Sequence, residues 1–191
     1  RWRAGVIGSR ECLKREFDLI DLSPDQLRAE LDRVALDPGA IQLLTFLQLW
    51  EIPTVILSDG IDAFIRSILA RHGVATGQTV EPPTIRANRI RHRGTRLALQ
   101  CPHSRSSCES GAAHCKCGSS DDLAIPGRES IYVGDGRSDL CASRKAGTVF
   151  AKGALAAALQ AEGRPFLPFY TLLDVVHTLK ASWGEPVGQS A

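Results

Sequence analysis

The chain has 191 residues, 43% of them hydrophobic and 23% charged, the profile of one globular domain with room for a small insertion. A net charge of +2 gives no reason to expect nucleic acid or a membrane as partner, and no apolar run approaches the ~20 residues of a membrane span. The first residues lack the apolar stretch of a signal peptide, so a cytoplasmic location is expected, with the six cysteines as reduced thiols.

The first fifty residues read as helices. Ser9 is placed to cap a helix reaching about Ile20. Ser23-Pro24-Asp25-Gln26 is a start signal, with a Ser cap, Pro at the first helical position and Gln three residues after the Ser. Leu27, Leu31 and Val34 follow at helical spacing. Asp37-Pro38-Gly39 breaks the pattern, and Ala40 to Trp50 reads as a further helix with Leu43, Leu44 and Leu47 inward. Pro53 to Leu57 is then a short β-branched run, as in a strand buried on both faces of a parallel sheet. It ends in Ser58-Asp59-Gly60, and a helix follows from Asp62 to His72 with Gly73 as its stop.

A second strand is expected over Thr84 to Asn88. It leads into a hairpin with arms Arg89–Arg93 and Arg96–Gln100 and its turn at Gly94-Thr95. Residues 101–122 are rich in Cys, Ser and Gly and read as irregular. Ser130 to Val133 is a third strand, running into Gly134-Asp135-Gly136 and a helix to about Ala146. Thr148 to Ala151 is a fourth strand, followed by a helix near 154–161. Phe166 to Phe169 reads as an edge strand and Leu172 to Ala181 as a closing helix. The alternation implies βα units and a mainly parallel, Rossmann-like sheet of the α/β class. The expected division is a partial helical cap over 1–50, an α/β core over 51–183 that includes the hairpin 85–100 and the Cys-rich segment 101–122, and a disordered tail over 184–191.

In such sheets ligands bind beyond the carboxyl ends of the strands, which singles out Ser58, Asp59, Asp135 and Asp139. In IYVGDGRSDL, Asp135 sits in a glycine-flanked turn and Asp139 follows four residues later. Two carboxylates so close tolerate each other if a cation lies between them, and hard oxygen donors with open positions suit Mg²⁺. The same residues also suit a solvated turn with Asp139 capping the helix. In VILSDG, the Ser58 hydroxyl and the N–H groups about Gly60 can hold a phosphate oxygen, or Ser58 can simply cap the next helix. Lys116, in HCKCG, can neutralise phosphate charge, though alone it is one lysine among many.

The order of these three segments resembles the second, third and fourth motifs of the haloacid dehalogenase superfamily. VILSDGIDAFIRSILARHG, IRANRIRHRGTRLALQCPH, YVGDGRSDLCASRKAGTVFAKG and GRPFLPF together resemble its phosphoserine-phosphatase-like branch, and GDGRSDLCA with FAKG its methionine-salvage phosphatase group. The resemblance covers nearly the whole chain. It implies Mg²⁺-dependent hydrolysis of a small phosphorylated metabolite, with Ser58, Asp59, Gly60 and Lys116 at the phosphoryl group and Asp135 and Asp139 at the metal. It implies too that Ser58, Lys116 and Asp135 converge around one phosphate at one rim of the sheet. The family's nucleophile is an aspartate in a DxDGT motif that ends the first strand, with a second aspartate as general acid. No Asp-x-Asp pair occurs in these 191 residues, and the chain, which begins at Arg1, contains no methionine. Further upstream residues carrying that first strand are therefore expected, and the chain as it stands is expected to be inactive and poorly stable. A non-catalytic phosphate- or partner-binding relative is the alternative.

Two weaker features remain. Cys101, His103, Cys108, His114, Cys115 and Cys117 cluster, but the spacing is no standard zinc pattern, and reduced thiols are the reading preferred. Arg86, Arg89, Arg91, Arg93 and Arg96 make the hairpin basic without aromatic residues for stacking bases, which favours an exposed face over RNA binding. Self-association as a homodimer stays open.

Overall fold

The computed structural model describes residues 1–2, 6–74, 82–108 and 110–185. In chain order these form α1 (Ser9–Asp18), α2 (Pro24–Asp32), α3 (Ala40–Leu49), β1 (Val55–Ile61), α4 (Asp62–Arg71), β2 (Thr84–Arg93), β3 (Arg96–Gln100), α5 (Lys116–Leu123), β4 (Ile131–Gly134), α6 (Leu140–Ser143), β5 (Thr148–Ala151), α7 (Gly153–Ala161), β6 (Leu167–Pro168) and α8 (Leu172–Trp183). Two compact units divide the chain. Arg1–Val34, Ile56–Ile68 and Ile85–Leu123 make the first; Ala35–Val55, Leu69–Thr84 and Ala124–Ala191 make the second. Residues 1–34 fall in the first unit and 35–50 in the second. Most of the tail expected over 184–191 lies outside the described residues.

In the first unit the sheet order is β1-β2-β3. The strand expected over Thr84 to Asn88 and the first hairpin arm are one continuous β2. Its end pairs antiparallel with β3 from Arg89 opposite Gln100 to Arg93 opposite Arg96. Gly94 turns the hairpin at φ +64°, a backbone conformation that costs glycine nothing. Phe17 of α1, Ile61 and Leu97 are buried together, with Leu13, Ile20, Leu27, Phe64, Ile90 and Leu99 packed around them. Arg89, Arg91, Arg93 and Arg96 lie outside, exposed. Helix α2 starts as expected. Ser23 Oγ accepts from Gln26 N at 3.2 Å while Gln26 Oε1 accepts from Ser23 N at 2.9 Å, a reciprocal cap. Ser9 behaves differently from its expectation: Gly8 occupies the cap position of α1, and Ser9 is buried inside the first turn. The segment 101–122 is also less irregular than expected, since α5 begins at Lys116.

In the second unit β4, β5 and β6 run parallel in that order, with β6 at the edge. Parallel pairing, expected for the core, is found here. Phe150 on β5 is 1% exposed and packs with Leu43, Phe46, Phe169, Val175, Val176 and Leu179. On the same strand Val149 and Ala151 join Leu155 and Leu159 of α7, so β5 is covered on both faces as its apolar run requires. Helix α3 packs on α8. Its buried anchors are Leu43 and Phe46, with Leu47 only partly buried. Replacing Phe150 with Ala would cost about 3–5 kcal/mol at a site this closed.

Candidate active-site residues

In the first unit, β1 does not stop at Leu57. It continues through Ser58, Asp59 and Gly60 to Ile61, and α4 begins directly after it. What holds this stretch is a set of long-range hydrogen bonds to Asp59 and its neighbour. The Asp59 carboxylate accepts from the Ser9 hydroxyl at 3.1 Å through one oxygen and from the His114 backbone N–H at 2.8 Å through the other. The Asp59 carbonyl accepts from the Asn88 amide at 2.7 Å. Ser9 in turn accepts from Ala113 N at 3.0 Å. Asp59 is therefore a brace between three segments, and its carboxylate is committed to donors of the protein itself.

His114, fully buried, completes the brace. Its Nδ1 lies 3.0 Å from the Ser58 carbonyl and its Nε2 lies 2.7 Å from the Ser119 hydroxyl. A carbonyl only accepts, so Nδ1 carries a proton, and in the neutral ring Nε2 accepts from Ser119. Burial pushes the His114 pKa down; the Ser58 carbonyl pulls it back up and neighbouring His103 lowers it further. Two residues on, Lys116 opens α5 with only 9% of its surface exposed. Ser58 and Lys116 lie in the same unit, and His114, two residues before Lys116, is bonded to the Ser58 carbonyl. Ser58 Oγ accepts from Gly60 N at 3.0 Å, so the hydroxyl folds back on its own turn and does not cap α4. Gly60 is exposed beside it. Asn88 Oδ1 is buried without a hydrogen-bond partner among the described residues, an uncompensated acceptor that costs about 1–3 kcal/mol.

In the second unit, β4 delivers Gly134-Asp135-Gly136 into a short 3₁₀ turn, Arg137–Asp139, and then α6. Asp139, 5% exposed, is the organiser of this turn. One of its oxygens accepts from Asp135 N at 3.2 Å and Gly136 N at 2.8 Å, and the other accepts from the Tyr132 hydroxyl at 2.9 Å. A Cβ on Gly134 would lie 2.9 Å from the Asp139 carboxyl carbon, so the glycine is what lets that side chain fold under the strand end. Asp135 is exposed; its carbonyl accepts from Leu155 N at 3.0 Å, and no bond to its carboxylate is found among the described residues. The paired-acid expectation divides accordingly. Asp135 presents a hard oxygen donor outward, and Asp139 spends its lone pairs on the turn.

Asp135 fits Mg²⁺ as one protein ligand of an ion that keeps several waters. Among the described residues, no group of three or more His, Cys, Asp or Glu side chains is arranged to hold a metal. This includes the Cys/His cluster, where the rings of His103 and His114 pack on each other at 4.9 Å. Sequence reading did not find Ser9, Asn88, His114 or Ser119 as partners of the Ser58-Asp59 stretch. No local pattern marks them, because the bonds span up to 56 residues.

No family model matches the chain. Among solved structures, a substrate-bound phosphoserine phosphatase is similar at a TM-score of 0.69 and 18% identity, over 91% of this chain and 79% of that one. A phospho-aspartyl intermediate analogue of phosphoserine phosphatase gives 0.68 over 91% and 78%. Among curated relatives, the 2-hydroxy-3-keto-5-methylthiopentenyl-1-phosphate phosphatase of Microcystis aeruginosa is 30% identical over 161 residues, covering 82% of this chain and 72% of that protein. The enzyme of the same name from Geobacillus kaustophilus is 29% identical over 168 residues, 85% and 73%. The fold is that of an α/β phosphatase of the phosphoserine phosphatase type. The chain belongs to the haloacid dehalogenase superfamily of phosphatases, in the family of these methionine-salvage relatives. Among the described residues no helix is long and apolar enough to cross a membrane.

Proposed function

We propose that this chain carries the phosphate- and metal-binding residues of an enzyme that hydrolyses a small phosphate monoester through an aspartyl-phosphate, with Mg²⁺ as cofactor. The observation that carries this reading is the exposed Asp135 carboxylate, without a bond among the described residues, on a turn that Asp139 holds from beneath. Asp135 is the ligand; a bound Mg²⁺ would offset charge on the phosphate. The Ser58 hydroxyl, with the Gly60 N–H donating to its oxygen, donates in turn to a phosphoryl oxygen, and Lys116 neutralises the phosphate charge. Asp59 serves beside them as a brace, since a carboxylate facing a phosphate would repel it. The family's nucleophile is assigned to no residue here, because no Asp-x-Asp pair exists in the 191 residues. The methylthiopentenyl phosphate in the relatives' name is the first substrate to test, with phosphoserine, phosphocholine and phosphoethanolamine next.

The missing Asp-x-Asp pair also favours a second reading, a phosphate-binding relative without catalysis. One experiment separates them. The 191-residue chain and, where the gene encodes further residues upstream, the chain extended by them are assayed against that panel with Mg²⁺ and with a chelator. Chelator-sensitive phosphate release by the extended protein alone supports the enzyme. Release by the 191-residue chain would overturn the assigned roles. Phosphate binding with no release by either protein would support the binding module.

A further inference from the structure

Two thiols meet across Lys116, in a segment clamped at both ends. The Cys115 N–H donates to the His103 carbonyl at 3.0 Å, and the Cys115 carbonyl accepts from Ser119 N at 3.0 Å. Side chains close the same span, with His114 Nε2 2.7 Å from Ser119 Oγ. Inside it, Cys115 Sγ lies 3.5 Å from Cys117 Sγ. We propose that Cys115 and Cys117, whose sulfurs meet across Lys116, are a redox pair that peroxide converts to a reversible disulfide.

Side chains two residues apart inside a regular helix do not face each other. Cys115 escapes that rule because it stands just before α5, whose first residue is Lys116, and its carbonyl accepts the first bond of the helix. A residue at that cap position turns its side chain over the first turn, which is where Cys117 sits. From 3.5 Å the sulfurs must close by about 1.5 Å to reach the length of a disulfide bond. The bonds to His103 and Ser119 hold the segment together while they do so.

The two thiols divide the work. Cys115 is buried, 4% exposed, and Cys117 is more open to solvent. Cys117 also lies in the first turn of α5 beside Lys116, and a helix N-terminus and an ammonium group both favour the reactive thiolate. Its sulfur attacks a peroxide oxygen, the O–O bond breaks, and a sulfenic acid forms as hydroxide leaves and takes up the thiol proton. Burial pushes the Cys115 thiol up to about 11, so it enters second. Cys115 attacks the Cys117 sulfur, the S–O bond breaks, and the departing oxygen takes the Cys115 proton and leaves as water. The sulfurs lose two electrons between them and the peroxide gains both. The bridge closes a covalent ring around Lys116, and its formation does not depend on the phosphatase reading.

The test is tryptic mapping of the full 191-residue chain after dilute hydrogen peroxide, alkylation and denaturation. Trypsin cuts after Lys116, so the bridge should hold peptides 106–116 and 117–128 together until dithiothreitol parts them. Cys108 shares the first peptide, so Cys108→Ser should leave the linked pair in place, whereas Cys117→Ser should abolish it. Alkylation of both Cys115 and Cys117 after peroxide, a link from Cys108 in place of Cys115, or Cys117 driven to sulfinic acid with no link would each overturn the pair. Because fragmentation of the linked peptides from the unmutated protein shows which cysteines are joined, a variant that fails to fold does not obscure the result.

Discussion

Two Asp-Gly segments of similar composition, Ser58-Asp59-Gly60 and Gly134-Asp135-Gly136, are held by opposite means. In the first, the aspartate that follows the apolar run is the structural one. Its carboxylate ties down Ser9 and the His114 backbone, residues 50 and 55 positions away. In the second, the corresponding aspartate has no bond to its carboxylate among the described residues, and the structural work falls to Asp139, four residues on in the same turn. A carboxylate with no internal partner is available to a ligand, whereas one that already satisfies buried donors is costly to release. Sequence reading placed both aspartates in the site, Asp59 at the phosphoryl group and Asp135 at the metal; their hydrogen bonds separate them.

That contrast predicts different consequences for removing each acid. In a form of the protein that shows phosphatase activity, Asp135→Asn should lower that activity by about 10²–10³-fold, the several kcal/mol that a metal contributes to charge stabilisation. Its unfolding midpoint should stay near that of the parent. A variant that loses stability and keeps its activity would reverse the assignment. Asp59→Ala should do the opposite and destabilise the first unit by about 2–3 kcal/mol in urea unfolding, because it strands the His114 N–H and the Ser9 hydroxyl. A loss under 0.5 kcal/mol would mean the brace is not what holds Ser58.

How far each region could be read in advance follows from the range of its contacts. The capping box at Ser23, the hairpin turn at Gly94 and the covered strand about Phe150 are set by neighbours in sequence, and each was legible. The Gly134–Asp139 turn is local too, and capping by Asp139 was among the readings it allowed. The brace about Asp59 was not legible. Ser9 carries the signature of a helix cap, yet it sits one residue inside α1 because its hydroxyl has a better partner on a distant strand. His114 stood out only as a member of a Cys/His cluster, where metal binding was the obvious chemistry to consider. Its ring is spent on Ser58 and Ser119, and nothing in the surrounding residues announces that. The start of α5 at Lys116 was hidden for a related reason, since a Gly- and Ser-rich helix has weak intrinsic propensity and depends on packing.

The turn of the second unit can be tested from beneath as well. Gly134→Ala places a Cβ 2.9 Å from the Asp139 carboxyl carbon and must displace that side chain. The expected cost is about 1–2 kcal/mol in thermal or urea unfolding, smaller than that of Asp59→Ala because the acid can shift by rotation. A neutral substitution would show that Asp139 does not need to lie under the strand end.

The smallest effect expected is on the acid side of the stability profile, and it tests the neutral ring of His114. Burial lowers the folded pKa of His114 below its ordinary value of 6.5, so the unfolded chain binds the proton more readily. The stabilisation from a neutral ring is complete above about pH 6.5 and is lost as pH falls through that value toward the folded pKa. His114→Asn keeps a donor for the Ser58 carbonyl but cannot titrate, so its urea-derived stability should fall less steeply below pH 6.5 than the parent's. The slope should not vanish, because His103, also lowered by burial and by Arg86 and Arg89, titrates in the same sense. An unchanged slope would place the proton on His114 in the folded state, with Ser119 Oγ accepting from Nε2 and the brace about Ser58 carrying positive charge.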